Sequence, residues 1–420
     1  MSVTFQPPSR SLTPRDYLFI ALVVVVFTAV CAGLVFANLT LKGGGGDFYT
    51  LWAGSRSFLF DKVDPYGAEV PARVQQLVYE RSAGLGDEPY FLVTPFHILP
   101  FYYPFALLSD PKLARAIFTS VLELSVIMLA ILSLRLTDWE APRFYTILII
   151  FFAIFNFYTI QAIYEANPVL ILGLLFAGIL LALRAEMDEL AGALIAFSLF
   201  YWEVGAPFIF LVFLRVYYEK RTRVFAGFIM LSFVLFIVSF LSYPNWIIPF
   251  MRSTVNNLRA EYGFNIHTIL IHIWPSQGRV LAWVFITVLF IILGYEWSSA
   301  RKGDDRHFYW ASCLSLTAAP LLGFRTEMEN LSVLIIPLAL ILAVIHGRWY
   351  RFGNSLALLL MSSIFAAPWM LYLFAVNRFG SVVQDIIFLL LPLITLVGLY
   401  WIRWWAIRPP RTWKDLANKL

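Results

Sequence analysis

The sequence predicts an all-α polytopic membrane protein, a single integral membrane domain over residues 1–420 with about twelve transmembrane helices. Three observations predict it. Hydrophobic residues make up 60% of the 420 and charged residues only 14%, against roughly 25% charged in a soluble protein. Mean hydropathy is +0.76, and uncharged apolar runs recur from end to end. These runs do not alternate: residues 20–30 are continuously apolar, whereas the ~10-residue strands of a membrane barrel alternate lipid-facing and lumen-facing side chains.

In chain order, residues 1–16 carry Pro7, Pro8 and Pro14 and form a short cytoplasmic tail. Arg10 and Arg15 hold the start of the first span, 17–39, inside. This basic-then-apolar opening resembles a signal peptide, but the run is longer than a signal core and more spans follow, so it reads as a retained anchor. Cys31 follows Val30, which is too bulky to precede a lipidated cysteine; Cys31 and Cys313 both sit inside apolar runs as small core residues. Residues 40–90 are a first outward loop, with amphipathic helical spacing in 47–60 and 68–81 that predicts interfacial helices.

Apolar runs follow at 91–108, 113–134, 144–160, 168–183, 190–214 and 224–241. A second outward loop, 242–278, interrupts them. Five more runs lie near 280–297, 308–322, 331–345, 355–376 and 382–402, before a cytoplasmic tail at 403–420.

The net charge is +5, and its location excludes a nucleic-acid partner. The basic residues cluster in short loops: Arg215, Lys220, Arg221 and Arg223; Arg301, Lys302 and Arg306; Arg348 and Arg351; then Arg403, Arg408, Arg411 and Lys414. That is the topology signal of a multi-pass protein in membrane lipid, and it puts all four clusters in the cytoplasm and both long loops outside. The localisation expected is the plasma membrane, with an outward-facing site.

The first outward loop holds the most distinctive stretch, residues 43–66, GGGGDFYTLWAGSRSFLFDKVDPY. Four glycines free the backbone for unusual φ values just before Asp47, which places a carboxylate at the membrane–water boundary. Ionisable groups inside apolar runs cost about 2.5–3.5 kcal/mol each and need a reason to be there. Glu123, Glu165, Glu203 and the group Arg325, Glu327 and Glu329 qualify. Glu165 precedes Asn167 and Pro168, and Glu203 lies beside Gly205 and Pro207, where helices break and free backbone groups. Pairing inside the protein is the plainer explanation, either with Arg325 or with those freed groups.

No metal-ligand set is defined. His267 and His272, five residues apart, do not share a helical face, and His97 is isolated. No Walker loop, Rossmann glycine pattern or HExxH is present, which disfavours an ATP-driven pump, a soluble nucleotide-sugar enzyme and an intramembrane metalloprotease.

The aspartate after the first span, followed by FYTLWAGSRSFLF and DPY, resembles the family 87 polyprenol-phosphate-dependent glycosyltransferases of the GT-C superfamily. YFLVTPFHILPFYYPFALL is similar to their second block, IYEANPVLILGLLFAGILLALR to a third and ALIAFSLFYWEVGAPFIFLVFLR to a fourth. Together these cover residues 15–345. The chain departs from the family at three points. Glu165-Ala166-Asn167 stands where Gly-Gln-x-Asn is frequent, Glu203 stands where a lysine is usual, and FRTEMEN follows Ala319-Pro320 without a histidine.

The resemblance implies that Asp47 is the catalytic base. It also implies transfer of a hexose, mannose by family analogy, from a polyprenyl-phosphate-linked sugar donor to a lipid or glycan acceptor at the outer face. An inverting transfer needs one base, because the phosphate leaves without a general acid, unlike glycoside hydrolysis with its two carboxylates. Trp52, Arg56, Asp64, Tyr66, Glu165, Asn167, Glu203, Arg325 and Glu327 are the expected substrate-binding residues, with Arg325 supplying the positive charge for the donor phosphate. The cofactor is left open, and a divalent cation would stabilise the leaving phosphate. Two other classes stay open: a transporter or lipid flippase working through Glu165 and Glu203, and a scaffold that kept the fold without the activity.

Overall fold

Hydrocarbon offers backbone N–H and C=O groups no water, so long apolar segments fold as helices that satisfy those groups internally. The computed structural model describes residues 14–84, 86–139, 141–260, 262–349 and 352–408. Arg10, Arg351, Arg411 and Lys414 lie outside the described residues. Among the described residues the fold is predominantly helical, without strands.

The order is α1 Pro14–Thr40, α2 Gly46–Arg56, α3 Glu69–Tyr79, α4 Tyr103–Ala106, α5 Pro111–Leu136, α6 Arg143–Phe155, α7 Phe157–Glu165, α8 Val169–Arg184 and α9 Asp188–Ser198. Then come α10 Trp202–Tyr218, α11 Thr222–Ser242, α12 Ile247–Arg259, α13 Ile266–Ile273 and α14 Gly278–Ala300. Last are α15 Asp305–Ala318, α16 Ile335–Arg348, α17 Gly353–Phe379 and α18 Ser381–Ala406. By length and composition eight helical segments could cross a membrane, with the run Asp188–Tyr218 counted as one, or nine if α6 and α7, bent by 51° at Asn156, form one span.

Three expectations change. Residues 47–60 do not form an interfacial helix: α2 is buried along almost its whole length. Phe48 stacks on Phe118 of α5 at 5.0 Å and meets Phe105 edge-on at 5.9 Å, an aromatic core beneath the helix. Only α3 is two-sided, with Val70, Pro71 and Val74 buried.

Residues 91–108 are not one helix. Pro95, Pro100 and Pro104 interrupt them, and the chain runs extended, then through 3-10 turns at Phe96–Tyr102, then into the single turn of α4. Residues 190–214 are not one span either. A straight helix from Asp188 to Tyr218 would be about 45 Å long, yet the Arg221 Nε, just past its end, donates to Asp188 Oδ1 at its start at 3.0 Å. The helix breaks at Tyr201 (φ −124°, ψ 63°), so α9 and α10 form a hairpin with Glu203 at its turn.

The bundle therefore has two chemically distinct ends. At one, the first turn of α5, the end of α7 and the segment before α16 surround Asp47. At the other, the ends of α5, α8, α10 and α18 and the start of α15 surround a charged cavity, lined by Arg184, Arg215, Arg221 and Arg306 and by Asp138, Glu219 and Asp305. The described members of the first and second basic clusters meet there, where Arg215 donates to the Ala300 carbonyl at 3.2 Å and also to that of Gly303. Glu123, half-buried on α5, accepts from Asn38 of α1 at 3.2 Å, which is an ordinary interhelical polar contact.

Helices α9 and α11 approach backbone to backbone. A Cβ on Gly192 would lie 2.0 Å from the Val224 carbonyl oxygen, and one on Gly227 would lie 2.2 Å from that of Glu189. Backbone cannot yield as a side chain can, so small residues are required at this crossing. We expect Gly227→Val to prise the pair apart, at about 1–3 kcal/mol or more. The check is the melting temperature and monodispersity of the purified variant, and an unchanged melting temperature would contradict the packing argument.

Candidate active site

Asp47 owes its position to the glycine turn before it. Gly43, Gly44 and Gly45 have φ of 76°, 65° and 85°, a left-handed run that other residues adopt only with strain. Space is closed as well: a Cβ on Gly44 would lie 2.4 Å from the Tyr164 carbonyl oxygen, and one on Gly46 would lie 2.1 Å from the Tyr90 ring.

Two side chains clamp the turn. Arg115 of α5 is buried and donates to the carbonyls of Leu41 and Gly44, each at 3.0 Å, and to that of Gly43. Glu165, at the end of α7, accepts from the Gly46 N–H at 3.0 Å. Asp47 then falls in the first turn of α2, where the helix dipole favours a negative charge.

Asn167 orients the carboxylate. Its Oδ1 accepts from the Val169 N–H at 2.8 Å at the start of α8, which turns its Nδ2 toward the site. There Nδ2 donates to Asp47 Oδ2 at 2.7 Å and reaches Glu327 Oε2 at 3.4 Å. Glu327 is carried by the segment before α16, held in place where Thr326 and Phe264 exchange backbone hydrogen bonds at 2.7 and 3.0 Å. One oxygen each of Asp47, Glu88 and Glu327 lies within 4.8 Å of the others. Three carboxylates thus converge beside Glu165.

The electrostatics follow from that crowding. Burial first, then the charges of Glu327, Glu329 and Glu165, push Asp47 well above the ordinary carboxylate range, with the Asn167 hydrogen bond pulling the other way. Burial first, then Glu327 and Asp47, raise Glu88, and burial first, then Glu329 and Glu203, raise Glu327. If Asp47 serves as a base it must be deprotonated to act, and turnover then falls as pH drops through this raised value. Glu327→Gln removes one neighbouring negative charge, lowers the Asp47 value and moves the acidic limb of the pH–rate profile to lower pH. An unmoved limb would contradict the coupling.

The structure brings together Asp47, Glu165, Asn167 and Glu327 of the residues singled out from the sequence. Glu203 stands next to them, lining a small cavity with Thr326 and Asn330. The others lie elsewhere. Trp52 is in the core with its Nε1 on the Phe105 carbonyl at 3.1 Å, so it has no free face for a sugar. Arg56 donates to the Ala106 carbonyl at 2.7 Å, a full α2 length away from Asp47. Asp64 caps its own turn through the Tyr66 N–H at 2.9 Å, and the buried Tyr66 hydroxyl donates to the Thr94 carbonyl at 2.9 Å.

Arg325 turns away from the carboxylates and donates to the Leu258 carbonyl at 3.2 Å. In this arrangement the Arg325 guanidinium is engaged on a backbone carbonyl and not on the carboxylates. His267 packs against Trp283, while His272 pairs with Asp385 at 2.9 Å. Two residues with central positions escaped the sequence reading, Glu88 and Arg115. Glu88 sits in a polar loop whose path across the site only tertiary structure reveals. Arg115 resembles an ordinary flanking charge at the start of a span.

The carboxylate oxygens are hard donors that suit Mg²⁺, Mn²⁺ or Ca²⁺. With Arg115 engaged on backbone carbonyls and Arg325 turned away, such a cation would balance the charge of Asp47, Glu88 and Glu327. The chain is thus an all-α polytopic membrane protein with a carboxylate site at one end of its bundle. No protein-family model matches it, and no curated protein matches it.

Proposed function

We propose that the chain is a GT-C-type glycosyltransferase of the plasma membrane. In this reading it moves a hexose, mannose by family analogy, from a polyprenyl phosphate to a lipid or glycan acceptor at the outer face. The observation that carries the proposal is Asp47 itself: a carboxylate aimed by Asn167, raised in basicity by its neighbours and mounted on a turn only glycine can make.

One oxygen is engaged by Asn167, and the other is left to take the acceptor hydroxyl's proton as that oxygen attacks the anomeric carbon. The sugar–phosphate bond breaks with its electron pair going to the phosphate. A divalent cation held by Glu88 and Glu327 beside Asp47 would offset the phosphate charge.

The topology that goes with this reading has twelve crossings: α1, α5, α6 with α7, α8, α9, α10, α11, α14, α15, α16, α17 and α18. Relative to the expected spans, this reading removes residues 91–108 and counts α9 and α10 separately. Both termini and the basic end then face the cytoplasm. Against the transporter reading, Glu165 is occupied on the Gly46 N–H rather than free to bind a cargo.

The test is whether purified protein in proteoliposomes consumes polyprenyl-phosphate mannose, with a nucleotide sugar as comparison. Consumption of the lipid donor alone is expected. Consumption of neither, or of the nucleotide sugar, would contradict the proposal.

A further inference from the structure

At the end of the bundle away from Asp47 lies a cavity of about 290 Å³, near the lower size of small-molecule sites. Arg115, which clamps the Asp47 turn, and Leu136, which lines this cavity, are 21 residues apart on α5, about 32 Å along the helix axis. The cavity is therefore separate from the carboxylate site.

Its inner wall is apolar, with Leu180, Leu340 and Trp405, and its rim is charged. The arginines there divide into two kinds. Arg215 and Arg221 are spent on structure: Arg215 donates to the Ala300 carbonyl at 3.2 Å and to Asp305 at 3.3 Å, and Arg221 donates to the Leu183 carbonyl at 2.9 Å and to Asp188 at 3.0 Å.

Arg184 and Arg306 differ. Arg184 pairs only with Asp138, at 2.7 Å, and both side chains are about half exposed (47% and 61%), a kind of pair that contributes little and exchanges readily. Arg306 is exposed and carries no ion pair among the described residues. Two available guanidiniums over an apolar wall match a phosphate ester, since the planar fork pairs two phosphate oxygens at once.

We propose that this cavity is a second binding site, taking a phosphate-bearing ligand through Arg184 and Arg306. The ligand's phosphate displaces Asp138 from Arg184, and its apolar portion rests against Leu180, Leu340 and Trp405. Two sources share that chemistry, an anionic lipid headgroup or a soluble phosphate ester.

The test is calorimetric titration of the full-length protein in detergent with short-chain phosphatidylglycerol, glycerol phosphate and inorganic phosphate in turn. The wild type is compared with the double variant Arg184→Ala, Arg306→Ala and with Lys302→Ala, a nearby exposed cation outside the cavity. Loss of about tenfold or more in affinity in the double variant alone is expected. Binding of the lipid without competition from inorganic phosphate assigns a lipid headgroup, and equal binding of the water-soluble phosphates assigns a soluble ester. No binding of any probe to wild type, or equal affinity in the double variant with its elution profile unchanged, would overturn the site.

Discussion

Asp47→Asn is expected to lower turnover by about 10²- to 10⁴-fold, the range a positioned general base contributes, while the protein stays folded. Asparagine keeps the shape of the side chain, and the surroundings make the change benign for stability. Three carboxylates within 4.8 Å of one another lose one repelling member, so removing the charge relieves the cluster. Donor affinity should change little, because the proton is taken only as the bond forms. A variant that unfolds, or that retains turnover within a few-fold of wild type, would remove Asp47 from the role of base.

Arg115→Ala is the second large effect, and it acts at a distance from the reacting atoms. One guanidinium bonds the carbonyls of Leu41, Gly43 and Gly44, and charged hydrogen bonds of this kind contribute about 1.5–3 kcal/mol each. Without it the glycine turn loses its anchor, and a carboxylate displaced by about 1 Å costs roughly 10² in rate. Arg115 is a positioning residue, so the informative readout is rescue. Lysine is a point charge that cannot fork to three carbonyls, and Arg115→Lys should restore only part of the rate. A loss in Arg115→Ala confined to thermal stability, with kcat intact, would contradict the positioning role.

Composition and run length made the membrane class legible, because nothing else explains 60% hydrophobic residues in long unbroken runs. The glycine turn was legible too, since four consecutive glycines before an aspartate signal a backbone need. What the one-dimensional reading missed depends on breaks and reversals. The run at 190–214 looks continuous because Phe200, Tyr201 and Trp202 are as apolar as a helix interior, and only the Arg221–Asp188 contact exposes the hairpin. The run at 91–108 carried its warning in Pro95, Pro100 and Pro104, which outweighed hydropathy.

Within the site, Glu165, Asn167 and Glu327 were found because charge or amide in an apolar run is costly and conspicuous. Glu88 was not, because acid in a polar loop is ordinary until folding sets it beside Asp47. Trp52, Arg56 and Tyr66 lie close to Asp47 in sequence, yet α2 carries Trp52 into the core and Arg56 to its far end, and the Tyr66 hydroxyl is held on the Thr94 carbonyl.

The most direct measurement is single-turnover transfer of labelled mannose from polyprenyl phosphate in proteoliposomes, with wild type beside Asp47→Asn. The account predicts label leaving the donor for an acceptor in wild type and remaining on the donor in the variant. Equal transfer by both proteins, or none by either with donor and acceptor lipids present, would contradict it.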